Sequence, residues 1–460
     1  MSKRPFPCLC MSSSPLTVCK LSLTMPLEAF PKIGNLGLLT EKMPVVLVGC
    51  FRSALEKPLC LESLEELKGL AKTFGYGVLK TVCCPLKEIS SYSYLGRGKV
   101  EELKILAEKE KFSLFIFDDE LSPNQQRNLE QELKAAVIDR TELIIGVFAK
   151  RAQTKEARLQ VALAGYEYEL PRLKRLWTHL SRQRTGGGGG GYLKGEGERQ
   201  LEIDKRIIKS KIACLKKKLE EIKKQRDLKR KQRVRKKVPT FAIVGYTNAG
   251  KSTLLKALTK REVLIEDKLF ATLDTTAGRV RLAGGIELVF IDTVGFIRKL
   301  PHTLIAAFRS TLEELNFADF LIHLIDLSHP AAERQAESAL EVVRCLKAAD
   351  KPMITVLNKA DLVKDPEKIL KFKIKYPFTV ALSALKQEGL EALVELVKGK
   401  IASLYKMVKL KIPQSHYKLA AFVMQNGRVV SQEYAENDLL LEVEIPSGLE
   451  KKLWEFKVLN

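Results

Sequence analysis

Lys251 and Ser252 end the octet Gly245-Tyr246-Thr247-Asn248-Ala249-Gly250-Lys251-Ser252, which reads G-x-x-x-x-G-K-S and runs on into Thr253. The residue types suit a nucleotide phosphate. Glycines let main-chain N–H groups wrap the phosphate oxygens, an ammonium bridges the β- and γ-phosphates, and a serine hydroxyl holds Mg²⁺. The octet also has the flanks the chemistry requires. Phe241-Ala242-Ile243-Val244 reads as a buried strand before it, and Leu254, Leu255 and Leu258 step with helical spacing after it, so a helix N-terminus faces the anion.

Three further strand ends narrow the ligand to guanine nucleotides, GTP and GDP. Leu288-Val289-Phe290-Ile291 runs into Asp292-Thr293-Val294-Gly295. There Asp292 reaches Mg²⁺ through water and the Gly295 N–H meets the γ-phosphate. Ile354-Thr355-Val356-Leu357 runs into Asn358-Lys359-Ala360-Asp361. A carboxylate accepts from both guanine N1–H and N2–H₂ and has no such partners on adenine, which makes Asp361 the base selector. Thr379-Val380-Ala381 leads to Leu382-Ser383-Ala384, whose backbone offers an N–H to guanine O6. The stretch Leu269-Phe270-Ala271-Thr272-Leu273-Asp274-Thr275-Thr276 lies between the phosphate loop and Asp292. It should carry a switch threonine that binds Mg²⁺ and the γ-phosphate; the residues alone leave Thr272, Thr275 and Thr276 open. Phe296 stands after Gly295, where a Ras-like enzyme has a water-positioning glutamine. An apolar side chain cannot orient water, so slow unassisted turnover is expected.

Elements before this unit alternate strand and helix. Val45-Val46-Leu47-Val48, Tyr76 to Cys83, Leu114-Phe115-Ile116-Phe117 and Ala136-Val137-Ile138 read as strands. Leu61 to Ala71, Val100 to Leu106 and Pro123 to Leu133 read as helices, so 43–150 is a small α/β domain. A seam of fours and threes follows: Leu159, Leu163, Tyr166, Leu170, Leu173, Trp177 and Leu180, with Pro171 set to kink it. A run of six glycines at 186–191, then Gly195 and Gly197, separates it from Leu201, Ile208, Ile212, Leu215, Leu219 and Ile222. Matching seams on either side of a glycine tip predict an antiparallel helical hairpin over 151–237. The nucleotide domain should span 238–405. A small α+β domain should fill 406–460, with a hairpin turn at Asn426-Gly427, a strand over Leu439 to Glu444 and a helix over Leu449 to Phe456.

Charge singles out the hairpin. The chain is 460 residues long with net charge +23, and 205–237 holds seventeen Lys and Arg against Glu220, Glu221 and Asp227, a net +14. So local an excess points to a polyanion, nucleic acid or an acidic membrane face. Membrane-surface helices usually pair a basic face with bulky apolar or aromatic residues; 205–237 has no aromatic residue, which favours RNA. No apolar run approaches the ~18 residues needed to cross a bilayer. The nine cysteines include no C-x-x-C pair, so neither a zinc site nor a disulfide framework is indicated and a reducing, intracellular setting is expected. His179, His302, His323, His329 and His416 show no ligand spacing and are read as structural. Residues 1–42 lack a clear apolar signal core; they read as a disordered extension, or as upstream of a start at Met25 or Met43.

From about Gly96 onward the chain resembles the HflX family of GTPases. The blocks that carry the resemblance include Asp118-Asp119-Glu120-Leu121-Ser122-Pro123, Asp139-Arg140-Thr141, Trp177-Thr178-His179-Leu180-Ser181-Arg182-Gln183 and Glu198-Arg199-Gln200-Leu201-Glu202. To these the nucleotide domain adds Phe270-Ala271-Thr272-Leu273-Asp274 and Asp292-Thr293-Val294-Gly295-Phe296-Ile297. The resemblance implies an α/β fold made of an α/β subdomain, a long helical hairpin, a Ras-like GTPase domain and a small C-terminal domain. It implies a cytoplasmic GTPase, monomeric when free, that docks on the large ribosomal subunit and its rRNA and splits stalled ribosomes. Peripheral membrane association is the rival. Carried over, Ser252 and Thr272 are the Mg²⁺ ligands, joined by Asp292 as read above, and Lys251, Thr272 and Gly295 form the catalytic set. The nucleotide contacts add Gly245, Asn248, Gly250, Thr253, Phe270, Ala271, Leu273, Asp274, Thr293, Val294, Phe296, Asn358, Lys359, Asp361, Ser383 and Ala384. Here Gly195-Glu196-Gly197-Glu198-Arg199-Gln200-Leu201-Glu202-Ile203-Asp204 departs from the family's G-P-G-E-T-Q-L-E-T-D by lacking its proline and both threonines.

Overall fold

The computed structural model describes residues 43–110, 112–173, 193–235, 238–259, 270, 276–282, 287–299, 301, 304, 314–363, 365–402, 405–435, 437–446 and 453–458. The extension 1–42, the glycine run 186–191 and residues 271–275, Thr272 among them, lie outside the described residues.

Strands β1 (Pro44–Phe51), β2 (Gly77–Pro85), β3 (Leu114–Phe117) and β4 (Ala136–Asp139) form a parallel sheet in the order β2-β1-β3-β4. Val45 to Val48 and all of β3 are buried, as expected for parallel strands covered on both faces. Helices α1 (Lys57–Phe74), α2 (Arg97–Glu110) and α3 (Pro123–Leu133) supply the crossovers. Helix α3 begins at a capping box: the Gln125 N–H donates to Ser122 Oγ and the Ser122 N–H donates to Gln125 Oε1. One helix had no sequence signal, α4 (Arg140–Arg151). Its run Leu143-Ile144-Ile145 has no helical period because 140–148 is buried throughout. The Asp139 carboxylate caps it by accepting from the Glu142 N–H.

In the described residues the two helices pack as part of their seams requires; Trp177 and Leu180 lie outside the described residues. Helix α5 (Lys155–Glu169) ends in a 3-10 turn, Leu170–Arg172, at the expected Pro171. Helix α6 (Leu193–Arg235) packs Leu201, Ile208, Ile212 and Leu215 on Tyr166, Leu170 and Leu173. Arg226–Glu156 (3.1 Å) and Lys216–Glu167 (2.9 Å) pair in opposite senses along the two helices, which fixes the antiparallel direction. Lys209, Lys211, Lys217 and Lys218 stay exposed. Gly195 and Gly197 are helical rather than part of the tip, since α6 already begins at Leu193; a helix of 43 residues absorbs two glycines at about 1 kcal/mol each.

The next sheet has the order β10-β9-β8-β5-β7-β6. Its strands are β5 (Thr240–Gly245), β6 (Thr276–Arg281), β7 (Glu287–Asp292), β8 (Phe320–Asp326), β9 (Met353–Asn358) and β10 (Thr379–Ala381). Only β6 runs antiparallel, at the edge. Among the described residues the domain's longer helices are α7 (Lys251–Thr259), α8 (Ala332–Cys345), α9 (Pro366–Lys375) and α10 (Leu390–Ala402). Its core is continuous with that of the N-terminal sheet: Leu143, Ile144, Val147 and Phe148 cluster with Tyr246, Phe270, Val294, Phe296 and Ile297.

The C-terminal unit packs helix α11 (Tyr417–Asn426) on an antiparallel sheet ordered β11-β13-β12. These strands are β11 (Tyr405–Pro413), β12 (Arg428–Ala435) and β13 (Asp438–Pro446), and β13 covers the expected 439–444. Two expectations change here. Asn426-Gly427 is not a hairpin turn: Asn426 ends α11, and the Gly427 N–H donates to the Val423 carbonyl as a cap (2.7 Å). β12 and β13 pair antiparallel instead, with Ala435 opposite Asp438. Of the helix expected over 449–456, a 3-10 turn at Trp454–Phe456 is described, and 449–452 lies outside the described residues.

Candidate nucleotide site

Gly245, Asp292, Asp326, Asn358 and Ala381 are the last residues of β5, β7, β8, β9 and β10. The motifs therefore converge at the carboxyl edge of one parallel sheet, where open α/β sheets bind their ligands.

The phosphate loop joins β5 to α7. Asn248 adopts a left-handed conformation with φ of 61°. Gly250 has φ of 93°, and a Cβ there would stand 2.3 Å from Asn358 Nδ2, so backbone geometry and space both require glycine. Lys251 is buried, and its ammonium donates to the Tyr246 carbonyl at 2.7 Å. Burial brings its pKa down to about 8, against the opposing charge of Asp292. Ser252 Oγ donates to Asp292 Oδ2 at 2.6 Å. This sets two hard oxygen donors side by side, the donor type Mg²⁺ prefers alongside phosphate oxygens. Thr253 follows, half-buried on the first turn of α7.

The segment after β7 lies against this loop. Thr293 Oγ1 donates to the Ile243 carbonyl (2.7 Å), tying it to β5. A Cβ on Gly295 would stand 3.0 Å from Lys251 Nζ. The rings of Phe270 and Phe296 belong to the interdomain core, Phe270 lying edge-on to Phe148 at 4.6 Å. What these two residues can offer a nucleotide is main chain. Ala271, Thr272, Leu273 and Asp274 lie outside the described residues.

At the base end, Asn358 is a buried staple. Its Nδ2 donates to the Ala249 carbonyl (2.7 Å) and its Oδ1 accepts the Ala384 N–H (3.0 Å). A ligand oxygen at Ala384 must therefore share that donor. Asp361 is held below the usual carboxylate range by hydrogen bonding from Ser383 and by Lys386, whose Nζ lies 3.3 Å away. Lys359, at φ of 60°, sends its ammonium to Asp326 Oδ2 at 2.6 Å. Sequence reading missed Lys386 and Asp326. A carboxylate ending a strand of this sheet was the available signal for Asp326; Lys386 had none.

The staple makes a prediction. Asn358→Ala leaves the Ala249 carbonyl and the Ala384 N–H without their partner, at about 1–3 kcal/mol each. Chemical denaturation should show a loss of about 2 kcal/mol or more, and GDP and GTP affinities should fall together. A wild-type denaturation midpoint in the mutant would remove Asn358 from this role.

A phosphate loop, a strand-end aspartate beside its serine and a loop that meets it at the base end define a P-loop GTPase, an enzyme that hydrolyses GTP. The family models and the HflX relatives agree. A family model described as "50S ribosome-binding GTPase" matches residues 240–359, "GTP-binding GTPase N-terminal" matches 61–149 and "GTP-binding GTPase Middle Region" matches 151–233. The chain is 43% identical over 410 residues to "GTPase HflX" of Chlamydia pneumoniae, covering 89% of this chain and 87% of that one. Against "GTPase HflX" of Escherichia coli (strain K12) it is 38% identical over 393 residues, covering 84% and 90%. A solved GTP-binding protein from the hyperthermophilic archaeon Sulfolobus solfataricus, in complex with GDP, aligns at 26% identity and a TM-score of 0.41, covering 78% of this chain and 98% of that one. The chain belongs to the HflX family of GTPases.

Proposed function

We propose that this GTPase docks on the large ribosomal subunit and its rRNA through the basic face of α6, and that its GTP-bound form splits stalled ribosomes. The observation that carries the reading is the exposed lysine face of α6 on the same chain as a complete guanine-nucleotide motif set. The family model's description as a 50S ribosome-binding GTPase supports it.

In this reading Lys251 bridges the β- and γ-phosphates, and the amides from Gly245 to Gly250 wrap the β-phosphate. Ser252, Thr272 and Asp292 would hold Mg²⁺; the hydroxyl of Ser252 on the first turn of α7, beside the carboxylate of Asp292 at the end of β7, fits that ion. The metal, when bound, neutralises charge developing on the phosphates. The Gly295 N–H binds the γ-phosphate, and Asp361 selects guanine. Phe296, its ring locked in the core, positions no water. Hydrolysis is slow until the ribosome orders the switch segment or lends a catalytic group.

The enzyme is taken to act as a cytoplasmic monomer. Among the described residues no helix is long and apolar enough to cross a membrane, and the rival docking surface is an acidic bilayer. Co-sedimentation with large subunits and with phosphatidylserine vesicles, each with a non-hydrolysable GTP analogue and with GDP, separates the two. Analogue-dependent pelleting with large subunits is the expected result. Pelleting with vesicles alone sinks the proposal.

A further inference from the structure

The segment Gly295–Lys299 is gripped from two sides. On one side its backbone pairs with the phosphate loop: the Phe296 N–H donates to the Gly245 carbonyl (3.1 Å), the Thr247 N–H to the Phe296 carbonyl (2.8 Å), and the Arg298 N–H to Tyr246 Oη (2.8 Å). On the other side it is held by the N-terminal domain. Lys299, in a left-handed conformation with φ of 52°, sends its ammonium to Asp118 Oδ2 (2.5 Å) and Asp119 Oδ1 (2.6 Å).

Tyr246 joins the two grips. Its hydroxyl, while accepting from Arg298, donates to Glu66 on α1. The other Glu66 oxygen takes one arm of Arg140, whose second arm reaches Asp118 at 2.7 Å. Asp118 returns to Lys299 and also accepts from Ser63 Oγ (2.7 Å). The circuit from phosphate loop to N-terminal domain and back to the segment after β7 is closed, and Asp118 and Arg140 are almost fully buried. Buried ion clusters add little net stability over apolar packing because desolvation offsets their attraction. They do fix direction, since each hydrogen bond has an angular preference. The direction fixed here places Gly295 against the Lys251 ammonium.

We propose that Tyr246 is a positioning residue through which the N-terminal domain holds the Gly295 N–H at the γ-phosphate, so that residues outside the GTPase domain set the preference for triphosphate over diphosphate. This rests on the assignment of Gly295 to the γ-phosphate made above. GDP has no γ-phosphate for that N–H, so GDP binding does not depend on the circuit. A GTP analogue does.

The test uses the full-length chain with Tyr246→Phe, Glu66→Gln, the double variant, and Lys299→Ala, which cuts the circuit at a part-exposed side chain. Glu65→Gln, in an exposed ion pair with Lys68 on α1, is the control and should behave as wild type. Affinities for GDP and for a non-hydrolysable GTP analogue are read by fluorescence, with thermal midpoints to verify folding. Tyr246→Phe should weaken the analogue by roughly tenfold more than it weakens GDP, the loss of one hydrogen bond to a charged partner. Glu66→Gln and Lys299→Ala should move the analogue alone in the same direction, and the double variant should be no worse than the worse single, as members of one network behave. Parallel losses of GDP and analogue would reduce Tyr246 to a support of the phosphate loop and overturn the proposal. An effect of Tyr246→Phe without one from Glu66→Gln or Lys299→Ala would remove the N-terminal domain and overturn it too. Gly295→Ala separates the layers. If it spares the analogue, the γ-phosphate assignment itself fails; if it abolishes analogue binding while the circuit variants do nothing, only the present inference fails.

Discussion

Replacing Asp361 by Asn should lower GTP affinity by about two orders of magnitude, the roughly 3 kcal/mol expected when one member of a charge-assisted pair is replaced. The carboxylate is held ionised by Ser383 and Lys386, ready to accept from guanine N1–H and N2–H₂. An amide can accept from one of these but opposes its own NH₂ to the other. The same NH₂ suits the carbonyl that xanthine carries at that position, so the mutant should shift its preference towards xanthosine triphosphate. Calorimetry with both nucleotides measures the exchange. Unchanged GTP binding would mean that the base is read elsewhere.

The second large effect belongs to α6. Lys217 and Lys218 are exposed, while Lys216 already pairs with Glu167 at 2.9 Å. Replacing all three by alanine should therefore remove about two phosphate contacts rather than three. On counterion-release grounds the log–log dependence of large-subunit affinity on salt should flatten by roughly 1.4 to 1.8, and affinity at 0.15 M salt should drop about thirtyfold. GTP binding should not change. Shortening the glycine run 186–191 to two residues should do the opposite, sparing the salt slope while abolishing subunit splitting. A triple-lysine variant with an unaltered slope would take α6 off the RNA.

These assignments were legible in the sequence because each rests on local chemistry. G-x-x-x-x-G-K-S between a strand and a helix can do little else. An aspartate, an Asn-Lys-x-Asp and a Ser-Ala placed at the ends of apolar runs had to converge once those runs became parallel strands, and the seams of α5 and α6 found each other through their shared period. Pro171 interrupted its helix because a proline cannot continue the hydrogen-bond ladder. Misreadings came where burial or context overrode pattern: α4, buried along 140–148, showed no period, and Gly427 caps a helix instead of turning a hairpin.

The tertiary structure decided what no spacing encodes. Lys386 meets Asp361 and Lys359 meets Asp326 only because two loops are brought to one sheet edge. Phe296 looked like a failed glutamine, yet its ring is a core residue shared with the N-terminal domain. Glu66 and Asp118 carried no readable role, because their partners Tyr246 and Lys299 lie 180 and 181 residues further along the chain, and Arg140 because it bridges those two carboxylates. The sequence by itself determined that the chain is a guanine-nucleotide enzyme and named the groups proposed to hold the nucleotide, since bases and phosphates are recognised by short, contiguous segments. Only the packing of two domains determined what holds those groups in place, because buried charges must be satisfied by whatever the fold brings within reach.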